Sequence, residues 1–358
     1  MTVVHVLTEP PVNQNTAAFL SPMIWNAEQL RRRGIRLRLF YRPEPALKSC
    51  DILLVSSKIW PGPWEVQRDR ALALLAELRR GPQLVYFDRS STPGSILGDV
   101  LAHVDGYTKT SMYADRSLYL RRVYGGRLFS EYYRDASRVD DADDPYTPPA
   151  LKAEEVARVQ VAWNTGLTSY SLSGPRRASL YRFLPARTLF SPPRRLHSPL
   201  TARPVAVSCR MGVTYRYATV AHQRRRMAEI LASHRRTERI SKAAYFRELA
   251  ASRVVASPFG YSEINYKDFE TFVCGAALLK PNMDHLETWP NYFVPGQTYL
   301  SHRWDLSDVE AQLAEAEANP DMRLAVAQRA QDLYRWHVAH PDGGEAFVER
   351  FARLIGAP

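Results

Sequence analysis

Four prolines, Pro192, Pro193, Pro199 and Pro204, interrupt the chain in FSPPRRLHSPLTARP (Phe190–Pro204), and short apolar runs alternate with helical runs on either side of them. Proline has no amide hydrogen and its ring clashes with a preceding helical turn, so no regular element passes through such a stretch. Stiff proline-rich segments suit linkers between domains. Before it, Val3–Leu7, Ile52–Ser56 and Leu84–Phe87 read as buried strands, and the apolar–basic alternation of Ile35–Tyr41 reads as a half-exposed one. A helix is expected from Ser21, as N-cap with Pro22 at the first position, to Arg33 before Gly34, and another over Trp64–Arg80 before Gly81. Ile96–Val104 and Leu118–Tyr133 add two more. After the break, strands at Val205–Ser208, Val254–Ser257 and Ala276–Lys280 alternate with helices at Val220–His234, Tyr245–Ala251 and Tyr266–Cys274. Helices follow at Ser307–Asn319, Asp321–His337 and Ala346–Ile355. Alternation of this kind predicts parallel sheets with crossover helices. The expected fold is therefore α/β, with two Rossmann-like domains facing a cleft. Their expected extents are 1–190 and 205–340, joined by a linker at 191–204, with a terminal helix at 341–358 packing back on the first domain.

The length of 358 residues suits two domains at about 100–200 residues each. Cys50, Cys209 and Cys274 form no CxxC pair, which favours a reducing compartment. The start MTVVHVLTEPP lacks the basic and apolar regions of a signal peptide, and no run of about 18 apolar residues suggests a membrane span. A cytoplasmic protein is expected. The net charge of +11 attracts phosphates of any kind, so peripheral, weak association with the inner membrane face is a further expectation. Arg31–Arg33, Arg224–Arg226 and Arg235–Arg236 read as solvated helix faces spread along the chain. No basic run is interleaved with aromatics as a single-strand binder needs, so no specific nucleic-acid partner is expected.

The most informative run is SRVVASPFGYSEINYKDFETFVCGAALLKP, residues 252–281. It reads as strand, turn, helix, turn, strand. Pro258 ends the strand, and Gly260, without a Cβ, lets backbone approach a ligand closely. The following helix offers free N–H groups and the positive end of its dipole, which suit a diphosphate. Lys267 adds charge near that end, and the Glu270 carboxylate has the acceptor capacity for both hydroxyls of a ribose. Gly275 closes the helix.

Pro258, Phe259, Gly260, Glu270 and Gly275 resemble the pattern of retaining GT-B glycosyltransferases. The longer run SPFGYSEINYKDFE followed by LLKPNMDHLETWP is similar to bacterial polysaccharide-type (group 1, family 4-like) members, over about residues 240–306. The resemblance implies turn amides on the donor diphosphate and the Glu on its ribose. The family also carries a Glu immediately before Pro-Phe-Gly, near the donor sugar; here that place is Ser257, with Glu263 as the candidate replacement, so the stereochemical outcome stays open. Donor-side candidates are Arg210, Gly212, Arg216, Pro258, Phe259, Gly260, Tyr261, Lys267, Asp268 and Glu270. Arg210 enters because a guanidinium fork binds phosphate oxygens in pairs. Asn13, Asn15 and His285 are candidates for the acceptor side, with Trp163 and Asn164 lining the cleft. Glu9, Asp88 and Glu263 are candidates for a catalytic carboxylate, since an inverting transfer needs a base for the acceptor hydroxyl.

The expected function is transfer of a sugar from a nucleotide-diphosphate donor to a glycan or other hydroxyl acceptor, with the donor as substrate, no further cofactor and no metal. Asp141-Ala142-Asp143 matches a DxD metal motif without a strand to hold it, and His337 with His340 lacks a third zinc ligand. A nucleotide-sugar epimerase of the same architecture and a non-catalytic basic scaffold for nucleic acid or anionic membrane are the alternatives.

Overall fold

A computed structural model describes residues 1–142, 147–170, 176–177, 179–193, 195–234, 236 and 238–357. In the first half, strands β1 (Thr2–Leu7), β2 (Ile35–Phe40), β3 (Ile52–Ser56), β4 (Gln83–Asp88), β5 (Gly106–Lys109) and β7 (Val159–Val161) form a parallel sheet ordered β2-β1-β3-β4-β5-β7. β3 lies inside the sheet and every residue of it is buried, whereas edge strand β2 alternates buried and exposed residues, as its apolar–basic pattern requires. In the second half, β8 (Val205–Ser208), β9 (Ser252–Ala256), β10 (Ala277–Pro281) and β12 (Leu300–His302) form a second parallel sheet ordered β12-β10-β9-β8.

The longer helices are α1 (Gln14–Trp25), α2 (Ala27–Arg32), α3 (Trp64–Leu78), α4 (Leu128–Ser137), α5 (Ala218–Ile230), α6 (Lys242–Ala251), α7 (Tyr266–Cys274), α8 (Val309–Ala318), α9 (Pro320–Ala339) and α10 (Pro341–Leu354). The first of them starts earlier than its sequence suggests. Asn13, not Ser21, is the N-cap, accepting from Thr16 N at 3.0 Å. Ser21 instead donates back to Ala17 O within the helix, and Pro22 sits in its interior. The Asn26 side chain donates to Pro22 O, and the helix breaks there. The expected helix over Leu118–Tyr133 is also wrong: two 3-10 turns precede α4, and Gly125 inside the second has φ +61. Helix-like spacing had concealed a glycine pair that only a turn accommodates.

A third, two-stranded sheet ties the halves together. β6 (Ser111–Tyr113) pairs antiparallel with β11 (Leu286–Thr288). Asn164 extends this seam, its N–H donating to Trp289 O and its Nδ2 to Thr288 Oγ1 and Pro290 O. The chain end adds another clamp, because α10 packs Phe347 and Phe351 against Trp163 and runs beside α2. The proline-rich segment is docked rather than loose. Arg203 donates to the carbonyls of Ala250, Ser252 and Cys274, and His197 N bonds Val273 O. Gly275, with φ +68, makes that docking close: a Cβ there would lie 2.3 Å from His197 O.

Candidate active site

A cleft of about 460 Å³ opens between the two large sheets. Its first wall is built from residues just past the carboxyl ends of the parallel strands: Lys58 after β3, Arg89 and Ser90 after β4, and Asn164 and Thr165 after β7. Asn15 and Phe19 on α1 complete it. The opposite wall is the loop from Gly260 to Tyr266, with Tyr215 beside it. Open α/β sheets bind ligands at this end because the strand-to-helix loops diverge there.

The second wall follows from local sequence. β9 ends before Ser257-Pro258, and Phe259 drops into the core against Phe129 at 4.8 Å between ring centroids. The chain then turns at Gly260, whose N–H bonds Ser262 O at 3.0 Å. A Cβ at Gly260 would lie 3.0 Å from Asn265 Oδ1. Helix α7 begins at the cleft, and its far turns carry Glu270 behind the loop, half-buried, with the Tyr245 hydroxyl donating to Oε2 at 3.0 Å. Burial pushes the Glu270 carboxyl above its ordinary range, against the pull of Tyr245, Lys242 and Lys267. Lys267 is half-buried and its Nζ donates to the carbonyls of Arg210 and Ala256. Burial, then the nearby Arg224 charge, push its amine down to about 8.

Residues 187–340 match the glycosyl transferase-like family model. No curated protein matches the chain. Two solved structures with the same fold are an alpha-glucosyltransferase in complex with UDP and a 13-mer DNA containing an HMU base, and alpha-glucosyltransferase (AGT) in complex with UDP. The first is 11% identical with a TM-score of 0.52, covering 99% of each chain. The second is 10% identical with a TM-score of 0.50, covering 99% of this chain and 100% of that one. The chain has the GT-B fold, and its second half carries a glycosyl transferase-like segment.

Of the donor-side candidates, Gly260 and Tyr261 line the cleft. Pro258 and Phe259 are buried beneath it. Gly212 is exposed at the tip of the loop after β8, with open space where a Cβ would go. Arg216 is exposed and lies over the Tyr217 ring at 5.8 Å. Arg210 points away: its guanidinium pairs with Glu248 on α6, Nη2 to Oε2 at 2.8 Å, while its carbonyl holds Lys267. Asp268 is likewise not on the cleft. It is fully buried, accepts from Ser257 Oγ at 2.6 Å and Asn265 N at 2.8 Å, and pairs with buried Lys280 at 3.1 Å. It caps α7 and anchors the turn.

Two of the three carboxylate candidates, Glu9 and Asp88, are engaged too. Glu9 accepts both contacts of Arg89, at 2.7 and 2.9 Å, and hydroxyls from Thr16 and Thr8. Burial raises its carboxyl, but Arg89 and the hydroxyls outweigh that and hold it below the usual range. Asp88 is buried under Lys109 at 2.9 Å, Tyr107 OH at 2.8 Å and Ser90 N at 2.7 Å. Buried, with three donors on it and outside the cleft lining, it is unsuited to take a proton from an acceptor. Glu263 is buried behind the loop, with Oε1 lying 3.8 Å from His285 Nε2. His285 packs edge-on to Trp304 at 4.9 Å and is not among the cleft-lining residues.

Of the acceptor-side candidates, Asn15 lines the cleft and receives the Tyr266 hydroxyl, whereas the Asn13 side chain is spent on capping α1. Trp163 lines the cleft while stacking on Phe19 in the core. Asp141 is buried and caps α5 through Thr219 N at 2.8 Å; Asp143 lies outside the described residues. His337 is packed against Trp289 and Tyr292, and His222 against Tyr133. Among the described residues, no three His, Cys, Asp or Glu side chains are grouped to hold a metal.

Sequence reasoning missed three arginines. Arg224, taken there for part of a solvated face, is buried and donates to Gly212 O at 2.7 Å and Phe259 O at 2.9 Å, joining the two loops of the second wall. Arg127 from the first half donates to Tyr261 O at 2.9 Å and fixes the same loop across the cleft. Arg89, beside the Asp88 that seemed the better candidate, is the residue whose position after β4 faces the cleft.

Proposed function

We propose that this protein is a glycosyltransferase that binds a nucleoside-diphosphate sugar along the Gly260–Glu270 wall and an acceptor hydroxyl against the strand ends of the first sheet. The observation that carries this is the 460 Å³ cleft, lined on one side by the Gly260 turn and on the other by strand-end polar groups. The donor diphosphate would meet the N-terminal turn of α7 and the Lys267 amine, both suited to an anion. Glu270, held by Tyr245 one turn further on, suits the ribose hydroxyls.

Among the described residues lining the cleft, the charged ones are Lys58 and Arg89. Arg89 is paired with Glu9, so Lys58 supplies the net positive charge there, which favours departure of the diphosphate, since preorganised cations stabilise charge as it develops. Glu9 and Asp88 are committed to Arg89 and Lys109 and Glu263 is buried away from the cleft lining, so the departing phosphate oxygen is the acceptor we assign for the proton of the attacking hydroxyl. The C–O bond to the diphosphate breaks as the bond to the acceptor oxygen forms. A glycan acceptor fits the polar, aromatic lining. We also infer that the protein works peripherally at an anionic membrane face, on the strength of its net charge of +11.

A thermal-shift panel with UDP, GDP, CDP and dTDP tests the donor site. One nucleotide at about 100 times its dissociation constant should stabilise the protein by roughly 2.7 kcal/mol. Glu270→Ala should abolish most of that stabilisation at the same concentration. No stabilisation by any of the four would sink the donor assignment.

A further inference from the structure

The positive charge is concentrated in one part of the chain. Val156–Ala228 contains thirteen arginines and neither Asp nor Glu, so the whole excess of +11 originates there rather than from basic helix faces spread along the chain. Within it, Ser179–Arg182 forms a 3-10 turn and Ala186–Leu189 a helical turn, raising a crest on the surface. Its base is anchored: Leu189 and Phe190 are buried, and Tyr181 packs edge-on to Tyr41 at 5.3 Å. Its top is not. Leu180 is 43% exposed, Phe183 80% and Leu184 47%. Arg176, Arg177, Arg182 and Arg187 stand exposed around them.

The crest holds its own shape. Phe183 N and Leu184 N both donate to Leu180 O, and Arg177 Nη2 donates to Thr188 O at 2.5 Å. Its apolar side chains therefore face water from a structured turn. Hydrocarbon side chains ringed by arginines, with no acid in the segment, are complementary to a surface that offers both hydrocarbon and anionic phosphate. An anionic bilayer interface is such a surface. A nucleic acid would answer the charge, but Leu180 and Leu184 have no planar face on which bases stack.

We propose that the crest formed by Arg176, Arg177 and Ser179–Leu189 is the element that docks this protein on an anionic lipid bilayer, inserting Leu180, Phe183 and Leu184 between headgroups. The proposal rests on the peripheral-membrane reading above and assigns it to particular residues. Tyr41, which supports the crest, directly follows β2, so the docked face adjoins the strand-end side of the first sheet. An acceptor carried by a lipid would be presented on that side.

The test is co-sedimentation of the full chain with vesicles of phosphatidylglycerol and phosphatidylcholine, against phosphatidylcholine alone. Wild type should sediment only with the anionic vesicles. Leu180→Ser, Phe183→Ser and Leu184→Ser combined should weaken partitioning by at least about tenfold, from the loss of buried apolar area. Arg176→Gln and Arg182→Gln should each weaken it by about fivefold. These positions are exposed, and an unchanged melting temperature and nucleotide response will show that the variants are folded. Failure of wild type to bind anionic vesicles at low salt overturns the membrane reading itself. Equal binding by the triple variant overturns the crest while leaving that reading in place. Binding of double-stranded DNA without vesicle binding overturns both.

Discussion

Replacing Asp268 by Asn separates a structural role from a ligand-contact role within the most informative segment. Asp268 is fully buried, and three donors converge on it: Ser257 Oγ at 2.6 Å, Asn265 N at 2.8 Å and Lys280 Nζ at 3.1 Å. Asn keeps one acceptor oxygen and turns the other position into a donor, so one partner loses its bond and Lys280 loses its counter-charge. Lys280 is itself fully buried, its amine already pushed down by burial and held up by Asp268. Removing one member of a buried ion pair costs about 3–5 kcal/mol. At about 2–4 °C per kcal/mol for a sizeable domain, Asp268→Asn should melt about 10 °C below wild type. Lys280→Met in the same background removes the stranded charge, so the double variant should recover at least about 1 kcal/mol of the summed single losses. Urea titration and thermal melts of the four proteins measure this cycle. Below its melting range, Asp268→Asn should still respond to the preferred nucleotide. A variant that melts with wild type but no longer responds to nucleotide would refute the reasoning and return Asp268 to the donor site.

Two further outcomes follow from buried groups and backbone geometry. Burial pushes His302 down to about 4 from an ordinary value near 6.5, so the unfolded chain binds the proton first as pH falls. Stability contributed by neutral His302 is complete above about 6.5 and is lost progressively as pH falls towards 4, by on the order of 3 kcal/mol. His302→Gln should flatten the urea-midpoint profile over that window, and an unchanged slope would contradict it. Gly275→Ala should cost more than about 2 kcal/mol, combining the left-handed backbone penalty with a Cβ 2.3 Å from His197 O. Gly34→Ala, at φ +80 but with open space around the Cβ, should cost about half as much. Equal losses would remove the contact with the proline-rich segment from the explanation.

Several features were legible in the chain as written. Helix α7 occupies Tyr266–Cys274 as its spacing indicates, and Gly275 closes it with φ +68 because a residue without Cβ adopts that conformation cheaply. Pro258 and Gly260 marked the turn that lines the cleft, and the alternation of apolar and helical runs announced two parallel sheets. Strands β5, β6, β7, β11 and β12 were not legible, since each is only three or four residues long and finds its partner elsewhere in the chain.

The charged residues were where sequence failed. Arg210 looked like a phosphate ligand, but the fold brings Glu248 within 2.8 Å of it. Asp88 looked like a base until Lys109 arrived on the next strand of the sheet. Arg224 looked solvated until two loops closed over it. Helix limits, turns and buried periodicity depend on neighbours along the chain, so the sequence by itself determined the α/β alternation and the backbone of the Gly260 loop. Which way a charged side chain points depends on the opposite charge or carbonyl that folding places within reach. That was decided only in the tertiary structure, which ties up Arg210, Asp88 and Glu9 and brings Lys58 and Arg89 to the cleft, with the sequence candidates Lys267 and Glu270 behind its second wall.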